Sequence, residues 1–457
     1  MGVVLAAGLG KRMKSKRHKV VHEVCGKPMI AHIVDEMKAV GFDRLFVVVG
    51  SKEEQVRDVL GDSVTFVRQE EQLGTGHALM QVAPHLGHEG VVAVVYGDGP
   101  LIRREEITRL TEVVEQQGAT ALLTAVVDNP FGLGRIIRGE QGEILRVVEE
   151  KDASDVQREI KEINSGLYAF AVGDLQVALS KLTSDNAQGE YLLTDCIAHL
   201  RDAGKSVVPV VVKDANDIAS VNDRGQLAIV QEIMQRRILY RHMMNGVTVV
   251  DPGSTYVQAD VAIGADTVLM PGTILEGKTV IGEDCVIGPQ TRLTDVQVAD
   301  RVKIEYAVLA SSAVASDTSV GPFAYVRPGS QIGSDVKIGD FVEVKNATIG
   351  RSTKISHLAY VGDSDVGERV NIGCGVVTVN YDGIQKHRTT IADDSFVGSN
   401  VNLIAPVTLA RGAYVATGST ITDDLGEEDF AIARERQTTK PGYARKLRAK
   451  LGAKSVD

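Results

Sequence analysis

A chain of 457 residues, 44% hydrophobic and 24% charged, is too long for one core at about 150 residues per domain and too apolar to be disordered overall. No window approaches the roughly 18 apolar residues of a membrane span, and Met1–Gly8 lacks the basic stretch of a secretory signal, so a cytoplasmic protein is expected. The formal net charge of −10 speaks against general nucleic-acid binding, which needs clustered positive charge.

In chain order, strands are predicted at Val3–Ala6, Leu45–Val49, Val64–Val67, Val91–Tyr96, Ala121–Val127 and Leu167–Phe170. Their near-continuous β-branched runs suggest burial on both faces. Helices fit between them, for example Met29–Val40 and Glu105–Gln117, which gives an α/β sheet over residues 1–221. Residues 222–250 read as a connecting helix, with Leu227, Val230, Met234 and Ile238 on one face.

From 251 to 457 the pattern changes. An aliphatic residue followed by a small one recurs every six positions, as in Val320-Gly321, Val326, Ile332-Gly333, Ile338-Gly339 and Val344, and again from Ile391-Ala392 through Val397-Gly398, Leu403, Leu409-Ala410 and Val415-Ala416 to Ile421. A hexapeptide period signals a parallel β-helix, in which three six-residue sides make one coil; it matches neither the helical 3.6 nor the two-residue alternation of a sandwich. Residues 251–425 make about ten coils at that length. Such a prism accounts for the 46 glycines, the absence of Trp and the 4% aromatics. The register is interrupted at 345–365 and at 376–390, and interruptions in a solenoid are predicted to be loops that carry function. Cys25, Cys196, Cys285 and Cys374 are too dispersed for a CxxC pair, so reduced thiols are expected.

After the first strand comes Leu5-Ala6-Ala7-Gly8-Leu9-Gly10-Lys11-Arg12-Met13. A glycine-rich turn at that place lets backbone N–H groups approach phosphate, and Arg12 with Lys19 neutralises it. Tyr96-Gly97-Asp98 ends a buried strand, where a carboxylate either meets ligand or caps a turn. The extended first string, with Lys19, resembles the signature of sugar-1-phosphate nucleotidyltransferases, although His18 stands where that family usually has proline and Gly99 where it has a small aliphatic residue. Gln72-Leu73-Gly74-Thr75-Gly76-His77-Ala78 is similar to that family's base-recognition turn.

With the solenoid added, the whole chain resembles the bacterial family of bifunctional N-acetylglucosamine-1-phosphate uridyltransferases and glucosamine-1-phosphate acetyltransferases, whose β-helix is left-handed. Further matching strings include Gly132-Leu133-Gly134-Arg135, Glu162-Ile163-Asn164-Ser165-Gly166, Gln188-Gly189-Glu190-Tyr191, Arg327-Pro328-Gly329, Phe341-Val342-Glu343-Val344-Lys345, His357-Leu358-Ala359-Tyr360 and Asn380-Tyr381-Asp382-Gly383. The resemblance implies that Leu5, Ala6, Ala7, Gly8, Arg12 and Lys19 surround the UTP phosphates, and that Gln69, Gly74 and Thr75 bind uracil. It implies that Asp98 and Asn222 coordinate Mg²⁺ and that Gly134, Glu149 and Asn164 contact the sugar of N-acetylglucosamine 1-phosphate.

For the second reaction the resemblance implies His357 as general base, with Arg327 and Lys345 on the phosphate of glucosamine 1-phosphate and Tyr360, Asn371 and Asn380 ordering the sugar. Asn380, Tyr381, Ser399, Thr417 and Arg434, with Cys374, would contact acetyl-CoA or border its pocket. Cys374 and Thr417 stand where that family commonly has alanine, and the thiol reads more readily as a small buried hydrophobe. Glu343 is expected to orient His357. The resemblance further implies a homotrimer with acetyl sites between neighbouring prisms and a product used in envelope synthesis; the basic C-terminal segment, with Arg434, Arg436, Lys440 and the stretch after Pro441, reads either as a cover over a neighbour's CoA site or as a solvated tail. The competing expectation is a monofunctional sugar nucleotidyltransferase whose β-helix serves only assembly or regulation.

Overall fold

A computed structural model describes residues 1–452, and the chain divides into two compact units, Met1–Tyr240 and the remainder from Arg241. The first unit is built on a sheet whose strands are β1 (Gly2–Leu5), β2 (Leu45–Val49), β3 (Thr65–Arg68), β4 (Val91–Tyr96), β5 (Thr120–Val126), β6 (Arg135–Arg138), β7 (Ile144–Val148), β8 (Glu162–Ala171) and β9 (Val207–Val211). The order is β9-β5-β8-β4-β1-β2-β3, with β6 and β7 as a hairpin beside β8. The pairs among β1, β2, β3 and β4 are parallel, whereas β8 runs antiparallel to β4 and β5. The carboxyl ends of β1 and β4 therefore lie side by side, with Leu5 in register with Tyr96. That edge is where an open α/β sheet receives ligand.

Helix Met29–Val40 buries Met29, Ile30, Ile33, Val34 and Met37 on one face, as the i, i+3, i+4 spacing of those residues requires. Helix Arg224–Met244 begins two residues after the expected start. Val230, Ile233, Ile238 and Leu239 are its most buried apolar side chains, and Arg237 donates to Leu101 O at 2.7 Å. Of the expected strands, Leu45–Val49 and Val91–Tyr96 are reproduced residue for residue, whereas Leu167–Phe170 is only the end of the ten-residue β8.

His18 is buried. Its main-chain N–H donates to Gln55 Oε1 at 2.7 Å, and its ring Nδ1 accepts from Val20 N. Burial, and then the charges of Lys19 and Lys52, lower its pKa to about 4 from 6.5. A histidine that is neutral in the folded state binds more protons when unfolded, so its contribution is intact above about pH 6.5 and declines as pH falls toward 4, by at most roughly 3 kcal/mol. Thermal unfolding followed from pH 7.5 to 4.5 should show a falling midpoint, with a shallower slope in His18→Asn, which keeps a capping acceptor. Parallel slopes for the two proteins would refute this assignment.

The second unit is a parallel β-helix of hexapeptide coils, of the left-handed class. One of its three sides is a nine-stranded parallel sheet, close to the coil count expected. Inward aliphatic residues stack coil on coil, as in Val320↔Ile338, Ile338↔Ile355, Ile355↔Ile372, Ile372↔Val397 and Val397↔Val415. Each is at most 2% exposed, and full burial of such a side chain stabilises by about 1.5–3 kcal/mol. The glycine after many of them answers to stacking distance rather than to a special φ. At Gly398 an added Cβ would lie 2.6 Å from the backbone N of Thr417 in the next coil.

The interruption expected at 345–365 is not a loop. Strands β10 (Lys337–Lys345) and β11 (Lys354–Gly362) run through a corner without leaving the ladder and pair in parallel. Phe341 and Leu358 take positive φ at that corner, 57° and 30°, so the place where a small residue is expected holds a bulky one. The interruption at 376–390 is a true excursion, in which Tyr381 and Lys386 form an isolated antiparallel bridge between strands Val377–Val379 and Thr389–Ile391.

Candidate active sites

In the first unit, Gly8 is exposed at the end of β1, and Arg12 is exposed on the short 3-10 turn Lys11–Met13. Lys19 reaches the carboxyl end of β4, where its Nζ donates to Asp98 Oδ2 at 2.5 Å and to Asn222 Oδ1 at 3.3 Å. Two oxygens from distant parts of the chain thus converge on one cation. Asp98 Oδ1 is buried and has no hydrogen-bond partner among the described residues. An orphaned buried carboxylate oxygen is costly unless a ligand completes it, and oxygen donors of this kind suit Mg²⁺.

The turn expected to read the base is held from two sides. Buried Gln69 donates through Nε2 to Gly74 O at 3.1 Å and contacts His77 Nδ1 at 3.0 Å. Gly74 has φ 114°, and a Cβ there would lie 2.4 Å from Tyr191 O, so only glycine fits without displacing the neighbouring backbone. Gly76 N–H donates to Tyr191 O at 2.8 Å, and Thr75 Oγ1 accepts from Leu193 N at 3.0 Å. Two strings far apart in sequence therefore form one rim.

Beside Asp98 lies a cavity of about 220 Å³ lined by Tyr96, Asp98, Gly134, Glu149, Asn164 and Asn222, among others. All three expected sugar contacts are in it, and Asn164 N–H donates to Gly134 O at 2.9 Å. Burial raises the Glu149 carboxyl above its ordinary pKa, opposed by a hydrogen bond from Thr194 Oγ1 at 3.2 Å. Tyr96 and Thr194 were not among the expected contacts. Tyr96 belongs to the Tyr96-Gly97-Asp98 string and its position was readable, whereas Thr194 is brought in only by the fold.

In the second unit, Asp363 is the hub. It is buried and accepts from Lys345 Nζ at 3.1 Å, from Asn346 Nδ2 at 2.7 Å and from Asn380 Nδ2. Burial works against its charge, but these bonds outweigh it and hold the pKa below the ordinary value. Asn380 also reaches the Tyr360 hydroxyl at 3.4 Å. Lys386, absent from the expected set, comes from the 380–388 excursion. Its pKa is lowered through its contact with Lys345 and that residue's charge, and by Arg327 in addition. Lys345 on Asp363, Lys386 against Lys345 and Arg327 on Glu343 bring three cations together, an arrangement suited to an anion. Asn371 stands apart from them, on the adjoining side of the prism, in register with Lys354 and Phe396.

His357 sits at the corner between those two sides, not in a break of the repeat. Its Nδ1 meets Asp340 Oδ1 at 2.6 Å. The expected partner, Glu343, is instead bound by Arg327 Nη1 at 2.8 Å and is in register with Tyr360. The orientation expected of Glu343 is therefore corrected, because the corner turns between His357 and Tyr360 and carries Glu343 onto the next side.

From His357 a line of corner residues runs along the prism. Gly375 N–H donates to Leu358 O at 2.6 Å, Asn400 N–H to Cys374 O at 2.7 Å, and Gly418 N–H to Ser399 O at 2.8 Å. Cys374, Ser399 and Thr417 thus occupy successive rungs, and Arg434 lies beside Gly418. Cys374 is exposed, which overturns its reading as a buried hydrophobe: its side chain points off a corner whose interior is filled by Ile372 and Val376. Tyr381 is exposed on the excursion, where its hydroxyl donates to Gly383 O at 2.7 Å. Helix Tyr443–Lys450, in the basic tail, has no buried residue.

The model of the MobA-like NTP transferase domain matches residues 2–162, and that of the bacterial transferase hexapeptide, with six repeats, matches residues 260–295. The chain is 54% identical to the bifunctional protein GlmU of Brevibacillus brevis over 97% of each chain. It is also 54% identical to that of Acetivibrio thermocellus, over 97% of this chain and 96% of the relative. With the protein of the same name from Clostridioides difficile it shares 46% identity over 98% of both. An α/β unit with phosphate-turn chemistry, a hexapeptide prism with its own cationic pocket, and this likeness from end to end together place the chain in the bifunctional GlmU family.

Proposed function

We propose that the protein makes UDP-N-acetylglucosamine in two steps, one per unit. In the second unit, the 2-amino group of glucosamine 1-phosphate attacks the thioester carbonyl of acetyl-CoA. A C–N bond forms, the C–S bond breaks, and His357 takes the proton lost by the amine. Histidine suits this work because its unperturbed pKa lies near neutrality. Arg327, Lys345 and Lys386 hold the sugar phosphate, Tyr360 and Asn380 the sugar, and the line from Cys374 to Thr417 with Arg434 receives the CoA.

In the first unit, a phosphate oxygen of N-acetylglucosamine 1-phosphate attacks the α-phosphorus of UTP and pyrophosphate leaves. The nucleophile is already anionic, so positioning and charge neutralisation suffice without a general base. The Gly8 turn, Arg12 and Lys19 hold the triphosphate, Gln69 and the Gly74–Thr75 rim the base, and the cavity at Glu149 and Asn164 the sugar. Asp98 and Asn222 hold Mg²⁺, which when bound supplies additional neutralisation of the phosphate oxygens. A cytoplasmic homotrimer using only soluble substrates goes with this reading, and no described helix is long and apolar enough to cross a membrane.

The observation that carries the proposal is that each unit holds its own converging cationic site, at Lys19 with Asp98 and at Lys345 with Asp363. Purified protein given glucosamine 1-phosphate, acetyl-CoA, UTP and Mg²⁺ should release free CoA and form UDP-sugar. Formation of UDP-N-acetylglucosamine from pre-acetylated substrate without any CoA release would reduce the prism to a scaffold and refute the two-step reading.

A further inference from the structure

We infer that Asp340 is a positioning residue for His357, an inference that rests on the acetyl-transfer reading of this site. The pairing is built by the fold: β10 and β11 run in parallel with Asp340 and His357 directly in register. Each is followed by a residue at positive φ, Phe341 at 57° and Leu358 at 30°, so the two side chains leave the prism at the same point of successive corners. Phe341 is fixed there by stacking on Phe323, with ring centroids 5.3 Å apart.

Bonding to His357 holds the Asp340 carboxyl below its ordinary pKa. An ionised carboxylate only accepts, so the 2.6 Å contact assigns the proton to Nδ1 and leaves the lone pair on Nε2. That is the tautomer a base needs if its outward nitrogen is to take the amine proton. His357 needs such a restraint because its side chain is 60% exposed and little else fixes the ring. Glu343 cannot serve, being paired with Arg327.

The test is steady-state kinetics of CoA release in the full chain, with uridylyl transfer from pre-acetylated substrate as the control for folding. Asp340→Ala should lower kcat by up to about 10²-fold, the scale of misplacing a reacting group, with both KM values near wild type. Asp340→Asn, whose amide oxygen can still accept from Nδ1–H, should recover much of that loss. In a His357→Ala background Asp340→Ala should cost nothing further. A wild-type kcat in Asp340→Ala, a loss confined to KM, or an additional loss in the double variant overturns the inference. If the wild type itself releases no CoA, the acetyl-transfer reading fails and takes the inference with it, an outcome separate from an active wild type indifferent to position 340.

Discussion

His357→Ala should slow CoA release by roughly 10²–10⁴-fold, the range spanned by a positioned general base, and leave uridylyl transfer from N-acetylglucosamine 1-phosphate at the wild-type rate. The loss should fall on kcat. The cations proposed to hold the acceptor phosphate, Lys345 on Asp363, Lys386 against Lys345 and Arg327 on Glu343, are placed without help from the imidazole, so truncating His357 leaves that cluster as it stands. The fold is not at risk either. The histidine side chain is largely exposed, and the coil beneath it is held by Ile355 and Val361, both fully buried. Substitution at such a surface position typically changes stability by less than about 0.5 kcal/mol. A rate within a few-fold of wild type, measured as free thiol released with time, would remove His357 from the proton-accepting role. A large rise in KM with kcat preserved would make it a binding residue instead.

What could be read from the letters depended on whether a residue's role repeats locally. The inward aliphatic residues of the prism recur once per side, so Val320, Ile338 and Val397 are legible as core in the sequence alone. Leu45–Val49 and Val91–Tyr96 were recovered to the residue because strands covered on both faces are continuous β-branched runs. The hairpin of β6 and β7 was not foreseen: it opens on Arg135, a guanidinium buried to 1% and paired with Glu150, and a charged residue is a poor sign of a strand core. The stretch 345–365 reads as a break because its buried aliphatic residues, Val344, Ile349, Ile355, Val361 and Val366, do not keep a strict six-residue spacing, the first and last intervals each being one residue short. The partner of His357 is not legible in the sequence either. Asp340 and Glu343 are both near in sequence to the same corner, and only the register shows that one stands opposite the histidine and the other beyond the turn. Lys386 reaches its pocket through the closure of the 380–388 excursion, which has no periodicity to follow.

Asp98→Asn should cost uridylyl transfer about 10²–10³-fold, the scale of removing one group that stabilises charge in a transition state, while CoA release stays unchanged. The substitution is nearly isosteric, so what it removes is charge. In the wild type one oxygen of Asp98 holds the Lys19 ammonium at 2.5 Å and the other is buried without a partner among the described residues. An amide in its place presents one neutral oxygen to the ammonium and turns its N–H donors toward the position of the second oxygen. Lys19 would then lose the anion that fixes it at the carboxyl end of β4, and two neutral amide oxygens, Asn222's at 3.3 Å, are weaker anchors for so flexible a side chain. The oxygen set offered to Mg²⁺ would lose its only formal charge, so part of the lost rate should return as Mg²⁺ is raised. Lys19→Met separates the two contributions, because it keeps the stem packing, deletes the ammonium and leaves the carboxylate. If Asp98 serves mainly to aim Lys19, the two variants should be equally slow and equally insensitive to added Mg²⁺. If it serves mainly as a metal ligand, only Asp98→Asn should respond. The buried oxygen without a partner favours the second outcome, since an aspartate that merely anchored a lysine would have no reason to keep a desolvated, unpaired oxygen pointing into the site.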